Sequence, residues 1–397
     1  MNLADNIRVL HYTSVWLPQT EIWLYNQVMY MPAHVENHVV CETTTNLDQF
    51  AVRNLYSLSD RSRLELYWDK GLRKLKIRNY LGILTRRARS VNAQIVHSHF
   101  GNVGWANQKA VGKLGACHVT TFYGLDVNLL PTIDARWRTR YCELFDTVDR
   151  VLCEGPHMAE CIKALGCPEE KVRVHHLGVR VDNIPYCPRS WQPGTPLQVL
   201  IAGTFREKKG IPYALAALGA IKREVELKIT IIGDATAEPR SQAEKRRILT
   251  VLDQNGLTAR TQLLGFRTHA ELMAEAYQHH VFLSPSVTAE DGDTEGGAPV
   301  TILEMAASGM PIVSTRHCDI PNVLPPNALL ADERDIEGLA DRLRWWIENA
   351  GNWEGQLSAA RRHVEENFNV AIQGLRLAKV YGELLGGARV GTAQVNC

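Results

Sequence analysis

The chain has 397 residues, 45% of them hydrophobic, and its 44 basic and 43 acidic residues leave a formal net charge of +1. The length predicts two domains, and the balanced charge argues against a nucleic-acid-binding protein, which usually carries a large basic excess. No apolar run reaches about 18 residues and no charged segment precedes a long apolar core at the N-terminus, so we expect neither a transmembrane helix nor a signal peptide. Nine scattered cysteines without a C-x-x-C pair indicate reduced thiols in a cytoplasmic protein.

Short runs of Val, Ile and Leu recur along the chain between longer mixed segments. Runs of this kind are typical of parallel strands that are buried on both faces. The predicted strands, in chain order, are Ile7–Tyr12, His38–Cys41, Ile95–His97, His118–Phe122, Arg150–Cys153, Val172–Leu177, Gln198–Ala202, Lys228–Ile232, Gln262–Gly265, Val281–Ser284 and Ile312–Ser314. Helical patterns lie between them, for example over Ile211–Lys222 and Ala243–Asn255, and this alternation predicts a doubly wound α/β fold.

The alternation is interrupted once, by the segment NIPYCPRSWQPGTP at Asn183–Pro196. Its four prolines and one glycine predict a linker, because proline fixes φ and removes a backbone hydrogen-bond donor. We therefore expect two Rossmann-like domains that face each other across a cleft, one over residues 1–190 and one over 191–370. Residues 371–397 are expected to form a helix that packs back on the first domain, and a tail.

The strongest functional signal is the segment IAGTFREKKG, in which an apolar strand ends in a glycine and a basic loop. A loop at the carboxyl end of a strand presents backbone N–H groups and basic side chains to a bound anion. Arg206, Lys208 and Lys209 are therefore candidates to neutralise a diphosphate. A solvated basic turn is the alternative interpretation.

An acidic, glycine-rich loop, EDGDTEGGAPVTILE, leads into a helix that we predict to begin near its proline. The N–H groups of Val300 and Thr301 would then point outward with the positive end of the helix dipole, where a phosphate is stabilised. Glu304 lies one turn further into the helix and could accept hydrogen bonds from a ribose diol. Glu295 precedes the turn, where it could meet a sugar hydroxyl.

Several segments, in the same order, resemble the retaining glycosyltransferases of family 4, which have the GT-B architecture. GTFREKKG resembles their basic loop, and EGGAPVTILE followed by AASGMPIVST resembles their element with two carboxylates. ITIIGDA, LLGFRTHAEL and VFLSPS resemble further segments of the C-terminal half, as IVHSHFG, TTFYGLD and KVRVHHLGV do in the N-terminal half. The resemblance covers roughly residues 90–390 and is closest to the subset that builds exopolysaccharides and secondary-metabolite glycosides.

Two single positions depart from the family pattern. Thr204 stands where the family usually has arginine, so Arg206 is expected to take over that contact. Tyr123 stands where relatives commonly have a histidine near the reacting centre.

The carboxylate pair also differs, because Glu295 and Glu304 are one residue further apart than in the family's E-x7-E element. Either the loop bulges, or Gly296 occupies the first position. In the second case backbone groups of Gly297 and Ala298 would hold the sugar.

The resemblance implies transfer of a sugar from a nucleotide diphosphate donor to an acceptor hydroxyl, with the anomeric configuration kept and with no metal or other cofactor. The catalytic residues that it implies are Arg206, Lys209 and Glu295. The donor-binding residues are Gly203, Thr204, Gly265, Phe266, Gly296, Gly297, Ala298, Pro299, Val300, Thr301 and Glu304. The acceptor-binding residues, in the N-terminal half, are Gln19, Thr20, Glu21, His99, Tyr123 and Asp126.

Structural interpretations stay open for several acceptor candidates. Thr20 fits equally well as the cap of a helix over Trp23–Tyr25. His99 is about as well explained as a structural histidine, and Asp126 as a cap.

Asp291 and Asp293 have the D-x-D spacing that holds Mg²⁺ or Mn²⁺ in another glycosyltransferase architecture. That architecture is a single domain without a basic loop of this kind. We interpret the two aspartates as loop structure, because cationic side chains already do the work of a metal ion.

Ten basic and two acidic residues lie between Arg61 and Arg89, interleaved with apolar and aromatic side chains. Such a stretch can lie on an anionic membrane, which would make the protein peripheral on the inner membrane face. It could equally hold an anionic acceptor or form a solvated helix face.

Two other functions remain open from the sequence. One is a nucleotide-sugar epimerase or phosphorylase of the same architecture, and the other is a sugar-binding relative without catalysis. The sequence does not identify the base, the sugar, the acceptor or the oligomeric state.

Overall fold

The computed structural model describes the backbone of residues 6–18 and 21–393, with side chains up to residue 386. The described chain forms two compact units. The first contains the residues up to Gly178 and the helix that begins at Val370, and the second contains Val179–Asn369.

The first unit is built on seven parallel strands: β1 (Ile7–Trp16), β2 (Val35–Thr44), β3 (Leu55–Ser57), β4 (Ile95–His99), β5 (Cys117–Thr121), β6 (Arg150–Cys153) and β7 (Val172–Val174). Its helices are α1 (Ile22–Met29), α2 (Arg63–Lys74), α3 (Gly82–Ser90), α4 (Gly101–Gly112), α5 (Leu130–Ile133), α6 (Arg136–Thr147) and α7 (Pro156–Ala164). The strand order is β3-β2-β1-β4-β5-β6-β7, so the chain winds outward from β1 in both directions. Because β1 pairs with both β2 and β4, His11 lies between Val39 and His97.

The second unit repeats this plan with six parallel strands: β8 (Leu197–Ala202), β9 (Leu227–Ile232), β10 (Thr261–Gly265), β11 (Val281–Ser284), β12 (Ile312–Thr315) and β13 (Leu330–Ala331). Its helices are α8 (Ile211–Ile221), α9 (Pro239–Gln254), α10 (His269–Ala276), α11 (Val300–Ala307), α12 (Ile320–Val323), α13 (Ile336–Glu348) and α14 (Trp353–Phe368). The order is β10-β9-β8-β11-β12-β13. Along β8, Val199 and Ile201 pack with α8 and α13, whereas Leu200 packs with α11 and α14, so both faces are covered.

The chain returns to the first unit through a last helix, α15 (Val370–Ala393). Leu377, Ala378 and Tyr381 of α15 are buried in one cluster with Ile7 and Val9 of β1. This burial ties the C-terminal helix to the centre of the first sheet.

The proline-rich segment at Asn183–Pro196 belongs to the second unit instead of lying between the units. The Arg189 guanidinium is buried and donates to the carbonyl oxygens of Ala276, His279 and Ser308. These hydrogen bonds hold the segment to the second unit, although its prolines have no N–H group to donate. The boundary between the units therefore lies before this segment, at 178/179, whereas the sequence had suggested residue 190.

Each of the predicted strands overlaps an observed strand, and the prediction of a doubly wound α/β fold is confirmed. The sequence did not indicate β3 and β13, which have three and two residues and are too short for a periodic signal. Among the helices described, none combines the length and the apolar character that crossing a bilayer requires.

Candidate functional site

Three neighbouring strands of the second sheet reach their carboxyl ends at glycines: Gly203 after β8, Gly233 after β9 and Gly265 at the end of β10. The Gly233 amide donates to the Gly265 carbonyl at 2.9 Å. A Cβ on Gly233, whose φ is +126°, would lie 2.0 Å from the carbonyl oxygen of Gly203. Only glycine fits there, because the Gly203 carbonyl occupies the place of a side chain. A Cβ on Gly265 would meet nothing within 4 Å, so the open backbone of this edge lies at Gly265. We call this edge of the sheet the glycine edge.

The basic loop after β8 turns sharply at Gly210. Its φ is +63°, and a Cβ would lie 1.8 Å from the carbonyl oxygen of Pro285. A short 3₁₀ turn, Glu207–Lys209, precedes Gly210, and α8 follows it directly. The Lys209 side chain runs beside Gly203, where a Cβ would lie 3.3 Å from its Cγ.

Lys209 and Glu295 form an ion pair that joins the basic loop to the acidic loop. The Lys209 Nζ lies 2.9 Å from both carboxylate oxygens of Glu295, and the Ser286 hydroxyl donates to Oε1 at 2.9 Å. Burial favours a raised pKa of Glu295, but the charges of Lys209 and Lys208 outweigh it and lower the pKa to about 2. Glu295 is therefore a carboxylate at neutral pH, held against a fixed positive charge.

Other ion pairs hold the rest of the acidic loop. The Lys208 Nζ donates to Asp293 Oδ1 at 3.0 Å and to the Thr294 carbonyl oxygen at 2.8 Å. Arg240 donates to Asp291 Oδ2 at 2.9 Å. Both aspartates of the D-x-D spacing thus have cationic partners within the chain.

A buried histidine anchors the backbone of Glu295. Its amide donates to His317 Nε2 at 3.1 Å, and His317 Nδ1 lies 2.7 Å from a carboxylate oxygen of Glu333. Because Nε2 accepts, Nδ1 carries the proton and donates to Glu333.

Arg206 points to different partners from those of Lys209. Its Nη2 lies 3.1 Å from both oxygens of Glu238, and its Nη1 lies 3.8 Å from Asp293. With Lys208 and Arg240 it lines a cavity of about 500 Å³ that also has acidic walls. The structure thus brings Lys209 together with Glu295 and ties Arg206 to Glu238.

Helix α11 begins at Val300, directly after Pro299, as the sequence predicted. The loop enters it through Gly296, whose φ is +76°. The first N–H groups of a helix have no acceptor within the helix, and no described side chain caps α11. The amides of Val300 and Thr301 therefore lie at the positive end of the helix dipole.

Glu304, one turn into α11, is buried and paired with a histidine that the sequence analysis did not single out. His269 Nε2 donates to Glu304 Oε1 at 2.7 Å, and this hydrogen bond raises the pKa of His269 against the effect of burial. His269 is the first residue of α10, where a capping box between Thr268 and Glu271 fixes the helix start. A carboxylate offers about four acceptor positions, so Glu304 keeps acceptor capacity for a diol.

Gly265 and Phe266 lie at the end of β10, just before α10. The φ of Gly265 is +68°, and the register between β9 and β10 shifts at this residue. The Phe266 ring is half exposed. The pair thus offers open backbone and an aromatic face at the glycine edge.

In the first unit, the acceptor candidates Gln19 and Thr20 lie outside the described residues. Glu21 precedes α1 and does not cap it with its side chain. Its Oε2 is buried without a hydrogen-bond partner among the described residues, and burial raises the pKa of Glu21 to about 7.

His99 is fully buried, at the end of β4, and links two other side chains. Its Nε2 lies 3.0 Å from His11 Nδ1, and its Nδ1 lies 2.7 Å from the Tyr123 hydroxyl oxygen. The Tyr123 ring packs on Trp23 with a centroid distance of 4.2 Å. His99 therefore positions Tyr123.

Asp126 is also fully buried. Its two oxygens accept hydrogen bonds from the amides of Gly101 (2.6 Å) and Tyr123 (2.9 Å). Burial raises the pKa of Asp126 to about 6, although these backbone hydrogen bonds act to lower it. Asp126 thus ties together the turns that follow β4 and β5.

Within the described residues, His11, His97 and His99 have side-chain nitrogens close enough to share a metal ion, all within 4.8 Å. Each of their ring nitrogens already has a hydrogen-bond partner. His11 and His99 bond each other, and the second nitrogen of His11 bonds Asn37 while that of His99 bonds Tyr123. His97 bonds Thr121 and Tyr381. Burial lowers the pKa of all three. The group fits a neutral hydrogen-bond network better than a metal centre.

Four residues that shape the second-unit site were not predicted as site residues from the sequence: Ser286, His269, His317 and Gly233. The side chains among them bond partners 9 to 35 residues away in the sequence, beyond the range of a local pattern, so spacing carried no signal. The glycine in ITIIGDA was visible within the resemblance.

Comparison with known proteins identifies the family to which the chain belongs. A sequence model described as "Glycosyltransferase Family 4" matches residues 20–183, and one described as "Glycosyl transferases group 1" matches residues 196–349. The putative colanic acid biosynthesis glycosyltransferase WcaL of Escherichia coli is 31% identical over 295 residues, which span 72% of this chain and 70% of that protein. The amylovoran biosynthesis glycosyltransferase AmsK of Erwinia amylovora is 30% identical over 297 residues, 74% of this chain and 70% of that protein.

Solved structures show the same fold at low identity. Anabaena HepE in complex with UDP and glucose has a TM-score of 0.75 at 14% identity, covering 95% of this chain and 99% of that one. Sucrose-phosphate synthase of Thermosynechococcus elongatus has a TM-score of 0.74 at 16% identity, covering 96% and 100%. Together with the family matches and the two Rossmann-like sheets, these findings show that the chain belongs to the family 4 glycosyltransferases of GT-B fold, and to their exopolysaccharide type.

Proposed function

We propose that this glycosyltransferase moves a sugar from a nucleoside diphosphate sugar to a hydroxyl group of its acceptor, with retention of the anomeric configuration. The observation that carries the proposal is the Lys209–Glu295 ion pair, which sets a cation and a carboxylate side by side near Gly203. Support comes from Anabaena HepE, a protein of the same fold whose solved structures contain UDP with glucose or UDP-glucose.

The chemical task is to break the bond between the anomeric carbon and the diphosphate. Negative charge builds on the departing diphosphate while the anomeric carbon becomes oxocarbenium-like. Lys209 and the first amides of α11, at Val300 and Thr301, supply fixed positive charge and dipoles for that oxyanion. Such preorganised groups act most strongly where charge develops in the transition state.

Arg206 was expected to stand in for the arginine that Thr204 replaces. In this structure its guanidinium is held by Glu238, with Asp293 further away. We therefore propose Lys209 as the main cation for the diphosphate and Arg206 as a partner that reaches it only after leaving Glu238.

The remaining donor contacts follow from the same edge of the sheet. We propose that Glu304, held by His269, accepts hydrogen bonds from the ribose diol, and that Gly265 and Phe266 contact the base. Glu295 would hold a hydroxyl of the donor sugar through its fixed carboxylate. The backbone of Gly296, Gly297 and Ala298 lies next to it in the chain and shares that role.

For the acceptor, we propose that the first unit binds the reacting molecule through Glu21 and Tyr123. Glu21 has a buried oxygen without a described partner and a pKa raised by burial to about 7, which suits a group that accepts a hydroxyl proton. His99 and Asp126 have no exposed surface, whereas Tyr123, although buried, keeps 8% exposure, so we propose that the first two act through Tyr123.

We further propose that the transfer needs no metal ion. Asp291 and Asp293, the residues with metal-binding spacing, are paired with Arg240 and Lys208. Lys209 supplies the positive charge that a metal ion gives to a diphosphate in other sites.

The test is incubation with UDP-, GDP-, ADP- and TDP-sugars, each with and without a panel of alkyl glycosides as hydroxyl acceptors. Nucleoside diphosphate release and the anomeric protons of the product are followed by NMR. We expect release to depend on an acceptor and the product to keep the donor's configuration. An inverted product would overturn retention, and conversion of the donor alone into another nucleotide sugar would mean isomerisation instead of transfer.

A further inference from the structure

The most exposed apolar side chains of the protein lie together on and just after α2. Among the described residues, the five large apolar side chains with the highest exposure are Leu64, Tyr67, Trp68, Leu75 and Ile77, between 67% and 83% exposed. A cluster of this kind on the surface of a protein marks an interaction site more often than scattered exposed residues do. We call these five residues the α2 apolar stripe.

The stripe follows helix geometry. Tyr67 and Trp68 follow Leu64 by three and four residues, and Leu75 follows Trp68 by seven, which places the four along one side of the helix. Gly71 lies on the same side, and a Cβ built on it would meet nothing within 4 Å. The apolar side of this amphipathic helix therefore faces outward.

Polar contacts and one partly buried leucine of the helix hold the opposite side of α2 to the protein. Asp69 is fully buried, accepts a hydrogen bond from the Ile83 amide at 3.1 Å and pairs with Arg78. Arg73 donates to Glu42 at 2.8 Å. An ordinary surface helix buries its apolar side and exposes its charges. Here the buried carboxylate fixes the reverse orientation.

The charged residues around the stripe indicate what kind of surface it binds. The exposed charged residues from Arg63 to Ile77 are four basic and one acidic: Arg63, Lys70, Lys74, Lys76 and Glu65. Lysine and arginine can extend toward anionic lipid headgroups, while Leu, Tyr and Trp enter the boundary between the headgroups and the acyl chains. Tyr and Trp in particular favour this boundary, because each ring is apolar with one polar end.

We propose that the α2 apolar stripe and its flanking lysines bind the surface of an anionic phospholipid bilayer. The helix would lie in the plane of the interface, with Leu64 and Trp68 inserted and Lys70 and Lys74 at the headgroups. This inference stands apart from the proposed donor chemistry, which concerns residues of the second unit.

The test is co-sedimentation of the full chain with vesicles of phosphatidylcholine alone and with vesicles that also contain about 30% phosphatidylglycerol. We expect binding to the anionic vesicles only, weakened by added salt because the attraction is screened. Lys70→Gln/Lys74→Gln should lower the partition coefficient about fivefold per lysine, on the order of 30-fold in total. Leu64→Ser/Trp68→Ser should lower it by about tenfold or more.

The matched control is Arg246→Gln/Leu249→Ser, an exposed basic and apolar pair on α9 of the second unit. It should bind vesicles like the unaltered protein. The substituted stripe residues face outward, so circular dichroism and thermal melting should show folded variants. Equal binding to neutral vesicles, no binding to either kind, or normal binding by both stripe variants would overturn the proposal. Dissociation of a dimer by Leu64→Ser/Trp68→Ser, without vesicle binding, would assign the stripe to a second copy of the chain.

Discussion

Lys209 provides the positive charge on which the proposed chemistry depends. Lys209→Gln keeps the length and polarity of the side chain and removes its charge, so we expect kcat to fall by about 10²–10³-fold. Initial rates at saturating donor measure this effect. The control is Lys228→Gln, an exposed lysine on β9 of the same unit. A loss of less than about fivefold in Lys209→Gln, the scale of an exposed charge pair, would contradict the assignment.

The same substitution predicts a pH-dependent loss of stability. The pKa of Glu295 is lowered to about 2, so its ion pair stabilises the folded state above the unfolded pKa of the carboxyl and is lost as the pH falls toward 2. In Lys209→Gln the buried carboxylate loses its nearest cation, at a cost of about 3 kcal/mol near neutral pH. Urea unfolding of the unaltered protein and of Lys209→Gln at about pH 7 and about pH 4 should show that their difference in free energy of unfolding shrinks in acid. The reason is that Glu295 of the variant, without its cation, takes up a proton. A difference that stays constant or grows would contradict this account.

The sequence indicated which side chains carry charge at the site, but not what holds them. Lys209, Glu295 and Glu304 stood out because each lies beside a glycine-rich turn or a helix start. The His269–Glu304 hydrogen bond spans 35 residues of sequence, and no local pattern predicts a contact of that range. The sequence also offered Arg206 as readily as Lys209. The structure distinguishes the two, because the Lys209 side chain runs beside Gly203 whereas Arg206 pairs with Glu238.

At the scale of elements, the ends of β4 and β5 and their neighbours collect buried histidines in the first unit. Burial lowers the pKa of six buried histidines of this unit: His11, His38, His97, His99, His118 and His175. The pKa falls to about 4 in His11 and to about 3 in His118 and His175. The folded state keeps them neutral while an unfolded histidine takes up a proton below about pH 6.5. The free energy of unfolding should therefore decrease in acid, by up to about 1.4 kcal/mol per pH unit for each histidine.

Two buried carboxyls of the same unit act in the opposite direction. The pKa values of Glu21 and Asp126 are raised by burial to about 7 and about 6, so both take up protons in the folded state first. The histidines outnumber these two carboxyls, so a net loss of stability in acid remains, which urea midpoints at about pH 7.5 and about pH 5.5 should reveal. His118→Asn should lessen the acid loss by about one histidine's share, and the exposed His157→Gln should not. Equal midpoints at the two pH values would contradict the prediction.

The acidic loop gives a prediction about metal ions. Asp291 and Asp293 hold the loop through Arg240 and Lys208, and Lys209 supplies the charge at the glycine edge. We therefore expect the rate of sugar transfer to be unchanged by EDTA and by added Mg²⁺ or Mn²⁺. Loss of activity in EDTA that Mn²⁺ restores would contradict it and would point to the D-x-D spacing.

The elements themselves were largely predictable. Runs of Val, Ile and Leu indicated strands because a parallel strand is buried on both faces. The sequence indicated an amphipathic basic segment between Arg61 and Arg89, but an amphipathic pattern does not state which side packs. The buried Asp69 and the exposed Trp68 reverse the usual orientation of α2, and only tertiary contacts show it. The proline-rich segment is a similar case. Its composition indicated a linker, but Arg189 fixes it to the second unit, and only tertiary contacts show this.

At the scale of the whole molecule, the fold tolerates extensive sequence change. HepE keeps the fold over 95% of this chain at 14% identity. Two doubly wound sheets need apolar strands and covering helices, which many sequences supply. The glycine edge, the Lys209–Glu295 pair and the start of α11 depend on individual residues. Substrate identity must therefore be tested at those residues.

The most direct measurement is the thermal stability of the protein with UDP, GDP, ADP and TDP, beside that of Glu304→Ala. A ligand at about 100 times its dissociation constant stabilises the folded state by about 2.7 kcal/mol, which a melting curve resolves. We predict a shift with one nucleotide that is lost in Glu304→Ala and kept in Glu348→Ala, an exposed carboxylate of the same unit. A shift of equal size in Glu304→Ala, or no shift with any nucleotide, would contradict the proposed donor site.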